Sequence, residues 1–433
     1  MSFASLQFGL FFALVLGGYV CLGRRAQNRL LLVASYVFYG AWDWRFLFLL
    51  LFSTVVDFIV GSLLAASDDP RRRRLLVTAS LATNLGILGF FKYAGFFAES
   101  FASLAAQFGF EASEFVLDIV LPAGISFYTF QTLSYTIDIY RGRLEPVKSF
   151  FDFALFVAFF PQLVAGPIER ASRLLPQIEN KRFIGWEQLN SGAWLILWGL
   201  YKKVVISDNL AVAVDAVYGN GATPTSAEII VATYAFAWQI YCDFSGYTDI
   251  ARGTARMLGF NLMLNFNIPY AATNPAEFWR RWHISLSTWL RDYLYVPMGG
   301  NRRGTWFTYR NLFLTMTIGG LWHGAAWPFV LWGAYHGALL MGHRALFGKD
   351  AHSEGTVSTW RSCAASIAMF HLAAIGWMFF RANSLGHIAG LLDILTGTFA
   401  IGMAAQWIAP MCFLLAPLFA MQFAQWRSDD LEV

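Results

Sequence analysis

Residues Leu312–Met341 read LFLTMTIGGLWHGAAWPFVLWGAYHGALLM. Drawn as one straight helix, this stretch is about 45 Å long at roughly 1.5 Å per residue, too long for the roughly 30 Å of hydrocarbon in a bilayer. Gly319, Gly320, Gly324 and Pro328 interrupt it near its middle, so the spacing predicts two membrane-embedded helices with a break around Trp322-His323-Gly324. An ionisable imidazole is then held at membrane depth. Irregular backbone is tolerated there only where it is buried in protein or lines a cavity.

The rest of the chain belongs to the same solvent. It is 57% hydrophobic and only 13% charged, with a mean hydropathy of +0.49, which excludes an ordinary soluble domain. The runs Phe3–Leu22, Trp44–Ala65, Leu75–Phe97, Ile229–Ile250 and Trp407–Phe423 each approach or exceed the roughly 17 to 20 residues of a membrane span. Shorter or interrupted runs lie at Leu30–Gly40, Leu117–Tyr140, Phe150–Val164, Gly192–Ile206 and Ala364–Phe380. The pattern predicts an all-α polytopic membrane protein with about 11 to 13 transmembrane, broken or re-entrant helices. No repeat, low-complexity linker or long polar stretch marks a second domain, so residues 1–433 read as a single membrane domain.

Charge sets the expected orientation. No Lys or Arg precedes the first run, and Arg24, Arg25 and Arg29 follow it, the reverse of a cleavable signal peptide, so it reads as an anchor with an external N-terminus. The Arg71–Arg74 run and the Arg141, Arg143, Lys148 group alternate with an acidic stretch over Ala98–Asp118, as expected if the basic loops are cytoplasmic. Those loops and anionic lipid headgroups account for the net charge of +4 without any nucleic acid. Cys21, Cys242, Cys363 and Cys412 have no metal or redox spacing and read as small apolar filler.

The most legible single helix begins at Asn274. That residue can cap it, Pro275 suits its first position, and Glu277 stands where a capping box places its acid. One helix is expected over residues 275–295, ending before Pro297. At 100° per residue, Phe278, Trp282, Leu286, Trp289 and Tyr293 fall on one face and Arg280, His283, Ser287 and Arg291 on the other. Such a helix is either an interfacial anchor whose arginines snorkel to phosphates, or a floor whose Arg and His stripe faces an anionic substrate.

His323 can bridge to a neighbouring helix, but the glycines beside it allow close approach of another molecule. A neutral imidazole is also a suitable base for a hydroxyl that attacks a thioester. Asp57, Asp138, Lys202, Lys203, Asp243, Asp249, His336 and His371 also stand within or beside apolar runs, and most are expected to face inward or pair. Lys202 and Lys203 could reach an anionic donor or snorkel to the cytoplasmic face. No metal site is expected, since His323, His336 and His343 are spaced so that one helix would not bring them to one ion. There is also no nucleophile elbow, phosphate loop or dinucleotide fingerprint.

Six blocks carry a family resemblance: Leu121–Gln131 (LPAGISFYTFQ), Phe159–Ile168 (FFPQLVAGPI), Asp243–Asp249 (DFSGYTD), Phe278–His283 (FWRRWH), Gly320–Gly324 (GLWHG) and Trp377–Arg381 (WMFFR). Together they resemble the membrane-bound O-acyltransferases, and within them the bacterial branch that serves alginate O-acetylation, over residues 36–381. The resemblance implies helices around a central tunnel, His323 as the catalytic residue at its narrow middle, and His283 as a second recurrent histidine. It further implies a thioester donor, acetyl-CoA or another acyl thioester, entering from the cytoplasm of a bacterial inner-membrane protein, with no bound cofactor. The acyl group is expected to pass to a separate periplasmic acetyltransferase, because the chain offers no extracytoplasmic domain of its own to grip a polymer.

On this reading Arg280, Arg291 and Lys202 or Lys203 neutralise donor phosphates beside Trp322, and His323 acts as base or as a transient acyl carrier. Some relatives continue with further helices beyond the point where this chain reaches Val433. D-alanyl transfer to a cell-wall polymer is the nearest enzymatic alternative. A transporter or flippase would share the intramembrane charges and broken helices, but it would show two corresponding halves, and none is seen.

Overall fold

The computed structural model describes residues 1–110, 119–164, 166–348 and 359–428, so the acidic positions Glu111, Glu114 and Asp118 lie outside the described residues. All regular structure among the described residues is helical. It falls into two compact units, residues 1–196 with 250–263, and residues 197–249 with 264–433.

The first unit contains α1 (Leu6–Val20), α2 (Arg24–Asp43), α3 (Leu47–Ala65), α4 (Pro70–Leu88), α5 (Ala94–Gln107), α6 (Ile125–Tyr140), α7 (Phe150–Ala158), α8 (Phe160–Leu163), α9 (Ala171–Glu179) and most of α10 (Trp186–Leu200). A π-helical turn, Gly89–Tyr93, carries α4 into α5. Apolar packing alone does not set the register here. Asp57 is buried in α3 and accepts hydrogen bonds from Asn84 Nδ2 (2.8 Å), Thr136 Oγ1 (2.9 Å) and Ser80 Oγ, so a carboxyl that would be costly alone ties α3 to α4 and α6.

The second unit contains α11 (Asp208–Tyr218), α12 (Ser226–Met257, except its last turns), α13 (Pro275–Arg281), α14 (Ile284–Leu290), α15 (Thr305–His323), α16 (Trp327–Phe347), α17 (Thr359–Arg381), α18 (Leu385–Thr396) and α19 (Ala404–Ser428). The break expected in Leu312–Met341 falls between α15 and α16, with Gly324 as the cap and Pro328 in the first turn of α16. The two helices return antiparallel along a seam of bare backbone. A Cβ at Gly320 would strike the Phe329 carbonyl, one at Gly333 the Met316 carbonyl, and one at Gly337 would lie 3.0 Å from Phe313 Cα. Small residues spaced one turn apart let helices approach this closely in a membrane.

Two substitutions in α16 separate seam from helix. Gly333→Val is expected to destabilise by about 1 to 3 kcal/mol or more through overpacking. Gly342→Ala, where nothing lies within 4 Å of the added carbon, should be neutral or stabilise by up to about 1 kcal/mol. Thermal unfolding in detergent reads both, and equal midpoints would remove the seam's special role.

α17 runs antiparallel to α16: Tyr335 donates to the Leu372 carbonyl (2.9 Å), Trp332 stacks on Trp377 (5.7 Å) and Phe329 meets Phe380 edge-on (4.8 Å). Among the described residues, segments 24–65, 70–107, 360–381 and 404–428 are long and apolar enough to cross a membrane, while α1 and α18 are apolar but shorter. Their outward faces carry large apolar side chains, such as Phe413, 80% exposed, as a lipid-facing surface requires.

The helix expected over residues 275–295 is two helices and a π-helical turn, Arg291–Tyr295. Its start follows the sequence: the Glu277 N–H donates to Asn274 Oδ1 (2.9 Å), and Glu277 Oε2 accepts from the Thr273 N–H and hydroxyl. Burial pushes the Glu277 carboxyl up, but those bonds and the Arg281 guanidinium outweigh it and hold the group below its usual range. The helix then stops because Asn265 captures the next turn. Its carbonyl accepts from the Ile284 N–H (2.9 Å) and its side chain from the Ser285 N–H and hydroxyl. His283 takes left-handed angles (φ 43°, ψ 55°) to turn the corner, a conformation rare for a residue with a Cβ.

Candidate active site

The corner at His283 removes that side chain from the expected cationic stripe. It is buried, edge-on to Phe244 at 4.7 Å between ring centroids, and 6.0 Å from the ring of His323. Neither of its ring nitrogens has a hydrogen-bond partner among the described residues. The two histidines named from the sequence therefore meet, although 40 positions separate them.

His323 is the last residue of α15, half-buried, and held by rings on three sides. Trp322 lies 5.0 Å away, Trp332 5.1 Å and Phe380 5.5 Å, all close to edge-on. Edge-to-face pairs of this kind contribute about 0.5 to 1.5 kcal/mol each beyond their burial and define the ring's orientation. The open side of His323 faces a cavity of about 210 Å³ between α14 and α15, with a wall of carbon from Leu286, Leu290, Met316 and Trp279. Leu312 and His323 both line it, so it follows α15 for about 16 Å. Ser287, Arg291 and Tyr295 supply its polar groups.

The other expected donor groups are placed elsewhere. Arg280 is exposed and does not line this cavity, and Trp322 is buried behind His323. Lys202 is buried, and its ammonium donates to Asp249 (2.5 Å) and Ser245 (3.0 Å). Lys203 pairs with Asp243 (2.6 Å) and Asp208 (2.8 Å). Both lysines are thus engaged by carboxylates, two of which belong to the Asp243–Asp249 block. Arg291 pairs with its neighbour Asp292 and keeps a 61% exposed side chain at the cavity.

Sequence reasoning missed Trp332 and Phe380. Trp332 stands in the stretch that decided the fold, and the glycine and proline break there was the signal; the structure shows a three-residue turn after His323 from which α16 brings Trp332 back beside that histidine. Phe380 stands in the Trp377–Arg381 block, but periodicity alone does not say which of Phe379 and Phe380 faces the site. His336, also buried, stacks on Phe278 (6.0 Å) and supports Trp279 and Trp332 from behind. Among the described residues no three His, Cys, Asp or Glu side chains converge as metal ligands.

A base held in a dry, ring-lined pocket can take a proton from a hydroxyl and leave room for an acyl group beside it. The sequence model of the membrane-bound O-acyltransferase family matches residues 146–385, which include His283, His323, the cavity and the ring cage. The chain belongs to the membrane-bound O-acyltransferase family. As a member it is a multi-pass membrane protein and an O-acyltransferase. This acyltransferase is 45% identical over 385 residues to the Pseudomonas putida protein named "Probable alginate O-acetylase AlgI", covering 88% of this chain and 76% of that one. It is 36% identical over 414 residues to the peptidoglycan O-acetyltransferase of Helicobacter pylori, again 88% and 76% of the two chains. To the teichoic acid D-alanyltransferase of Bacillus subtilis it is 28% identical over 285 residues, 61% and 69% of the chains.

Proposed function

We propose that this acyltransferase takes an acetyl group from a cytoplasmic thioester and delivers it, across a bacterial inner membrane, for O-acetylation of an extracytoplasmic polysaccharide of the alginate type. One observation carries the reading: His323 and Arg291 line the same apolar cavity. A thioester whose phosphate meets the guanidinium at the mouth would present its acyl carbon to the imidazole. His323 then takes the proton of an acceptor hydroxyl, the hydroxyl oxygen attacks the thioester carbonyl, and the C–S bond breaks to release the thiol. His283 supports His323 from behind as the second histidine of the site.

The donor is acetyl-CoA or another acyl thioester, and the chain needs no bound cofactor of its own. The acceptor side is served by a periplasmic acetyltransferase partner, with the N-terminus of this chain on the same side. The higher identity to the alginate proteins supports acetyl over D-alanyl transfer.

Purified protein in nanodiscs, supplied with labelled acetyl-CoA and candidate periplasmic acetyltransferases, tests this. Label should reach the partner or its polymer. Polysaccharide bound without any thioester turnover would replace the enzyme by a transporter. Arg291→Ala should raise the half-saturating donor concentration roughly 3- to 10-fold, since an exposed charge-assisted contact is worth about 1 kcal/mol. An unchanged donor dependence would leave Arg291 as a membrane anchor.

A further inference from the structure

Two cavities in the second unit approach one another through a pair of touching rings, His323 lining the first and Phe380 the second. The first is the carbon-walled cavity described above, with His323 and Trp332 in its wall but not Phe380. The second, about 430 Å³, is lined by Phe329 and Phe380 together with Gln239, Asp243, Arg381 and Asn383, and does not include His323. The Phe380 ring lies 5.5 Å from His323, 5.2 Å from Trp332 and 4.8 Å from Phe329. It is the wall between the imidazole and the second space.

The two cavities differ in direction and chemistry. α15, α16 and α17 run alternately up and down, so the first cavity extends along α15 toward the ends marked by Thr305, Phe347 and Thr359. The second extends toward the opposite end of α17, at Arg381. The second also holds water-compatible groups. Asp243 is 48% exposed, and the buried Gln239 Oε1 has no hydrogen-bond partner among the described residues. A hydroxyl acceptor and bulk water would both fit there, and both are nucleophiles.

We propose that Phe380 is the partition that selects the acceptor. In its observed rotamer it keeps water of the second cavity away from the thioester, and it must swing aside to admit the acceptor hydroxyl to His323. This rests on the thioester-transfer reading above. Without the ring, water replaces the hydroxyl: its oxygen bonds to the carbonyl carbon, His323 takes its proton, the C–S bond breaks and the thiolate recovers that proton. The products are free acid and free thiol, with no oxidant or reductant needed. Phe380 is a positioning residue here, acting through what it admits to the base.

The test is thiol release from acetyl-CoA by nanodisc-embedded protein without acceptor, beside label transfer with the acceptor system present. Wild type should release little thiol. Phe380→Ala should raise release about tenfold and lower transfer per thioester consumed, as opening a water-excluded site permits. Phe380→Leu, which keeps most of the bulk, should fall between. If Phe380→Ala does not accumulate as folded protein, Phe380→Leu carries the test alone with a rise of about threefold. Release equal to wild type in a folded variant overturns the partition while transfer by wild type still stands. His323→Ala, assayed alongside, separates the two ideas: thioester turnover unchanged by its loss would overturn the transfer reading and the partition with it.

Discussion

His323→Ala lowers acyl transfer by about 100- to 10,000-fold and leaves the half-saturating donor concentration close to wild type. The size follows from the loss of a base that acts only as the acceptor is deprotonated, so turnover falls while ground-state binding does not. The cavity supports this separation, because its other polar groups, Arg291, Ser287 and Tyr295, are on other elements from the imidazole. The fold should survive. His323 ends α15 in a half-buried position, and the glycine seam that holds α15 to α16 lies below it. The measurement is label transfer from acetyl-CoA across a donor titration. Transfer retained within threefold of wild type would remove the imidazole from the chemistry.

Lys202→Met is expected to cost about 3 to 5 kcal/mol of stability without altering donor dependence. The ammonium is the partner of an Asp249 carboxylate only 14% exposed, and it also meets the Ser245 hydroxyl and lies 5.9 Å from the rings of Trp198 and Tyr241. Removing the cation leaves a carboxylate in a poor solvent, the costly half of a broken buried pair. The double variant Lys202→Met with Asp249→Leu should recover most of the loss, since neither charge is then stranded. Unfolding midpoints in detergent and a donor titration together decide the matter. A stable single variant with a raised donor requirement would return Lys202 to the phosphate role that its place in the sequence suggested.

The two lysines mark where reading along the chain stops. Their apolar context was visible, but the partners of Lys202 stand 43 and 47 positions away, and no local pattern encodes that meeting. The break at His323 was legible because glycine and proline act on the backbone where they stand. The corner at His283 was not, because its cause is Asn265, on another segment, which takes the N–H groups that a continuing helix would have used. Helical periodicity assumed a straight axis and so placed His283 with the arginines. The family blocks brought both histidines forward, but only the folded backbone places their rings 6.0 Å apart.

The seam between α15 and α16 bears on how this sequence can drift over generations. Side chains that interdigitate can be exchanged singly, because neighbours adjust their rotamers; carbonyls against glycine hydrogens have nothing to adjust. Gly320, Gly333 and Gly337 should therefore be nearly frozen, or change only with a compensating shift on the facing helix. On the same helix, Leu314 and Ile318, turned outward at 39% and 43% exposure, are free to wander among aliphatic residues. Descendants of this chain should diverge fastest on the lipid side of α15 and slowest on the side where its backbone lies against the glycines of α16.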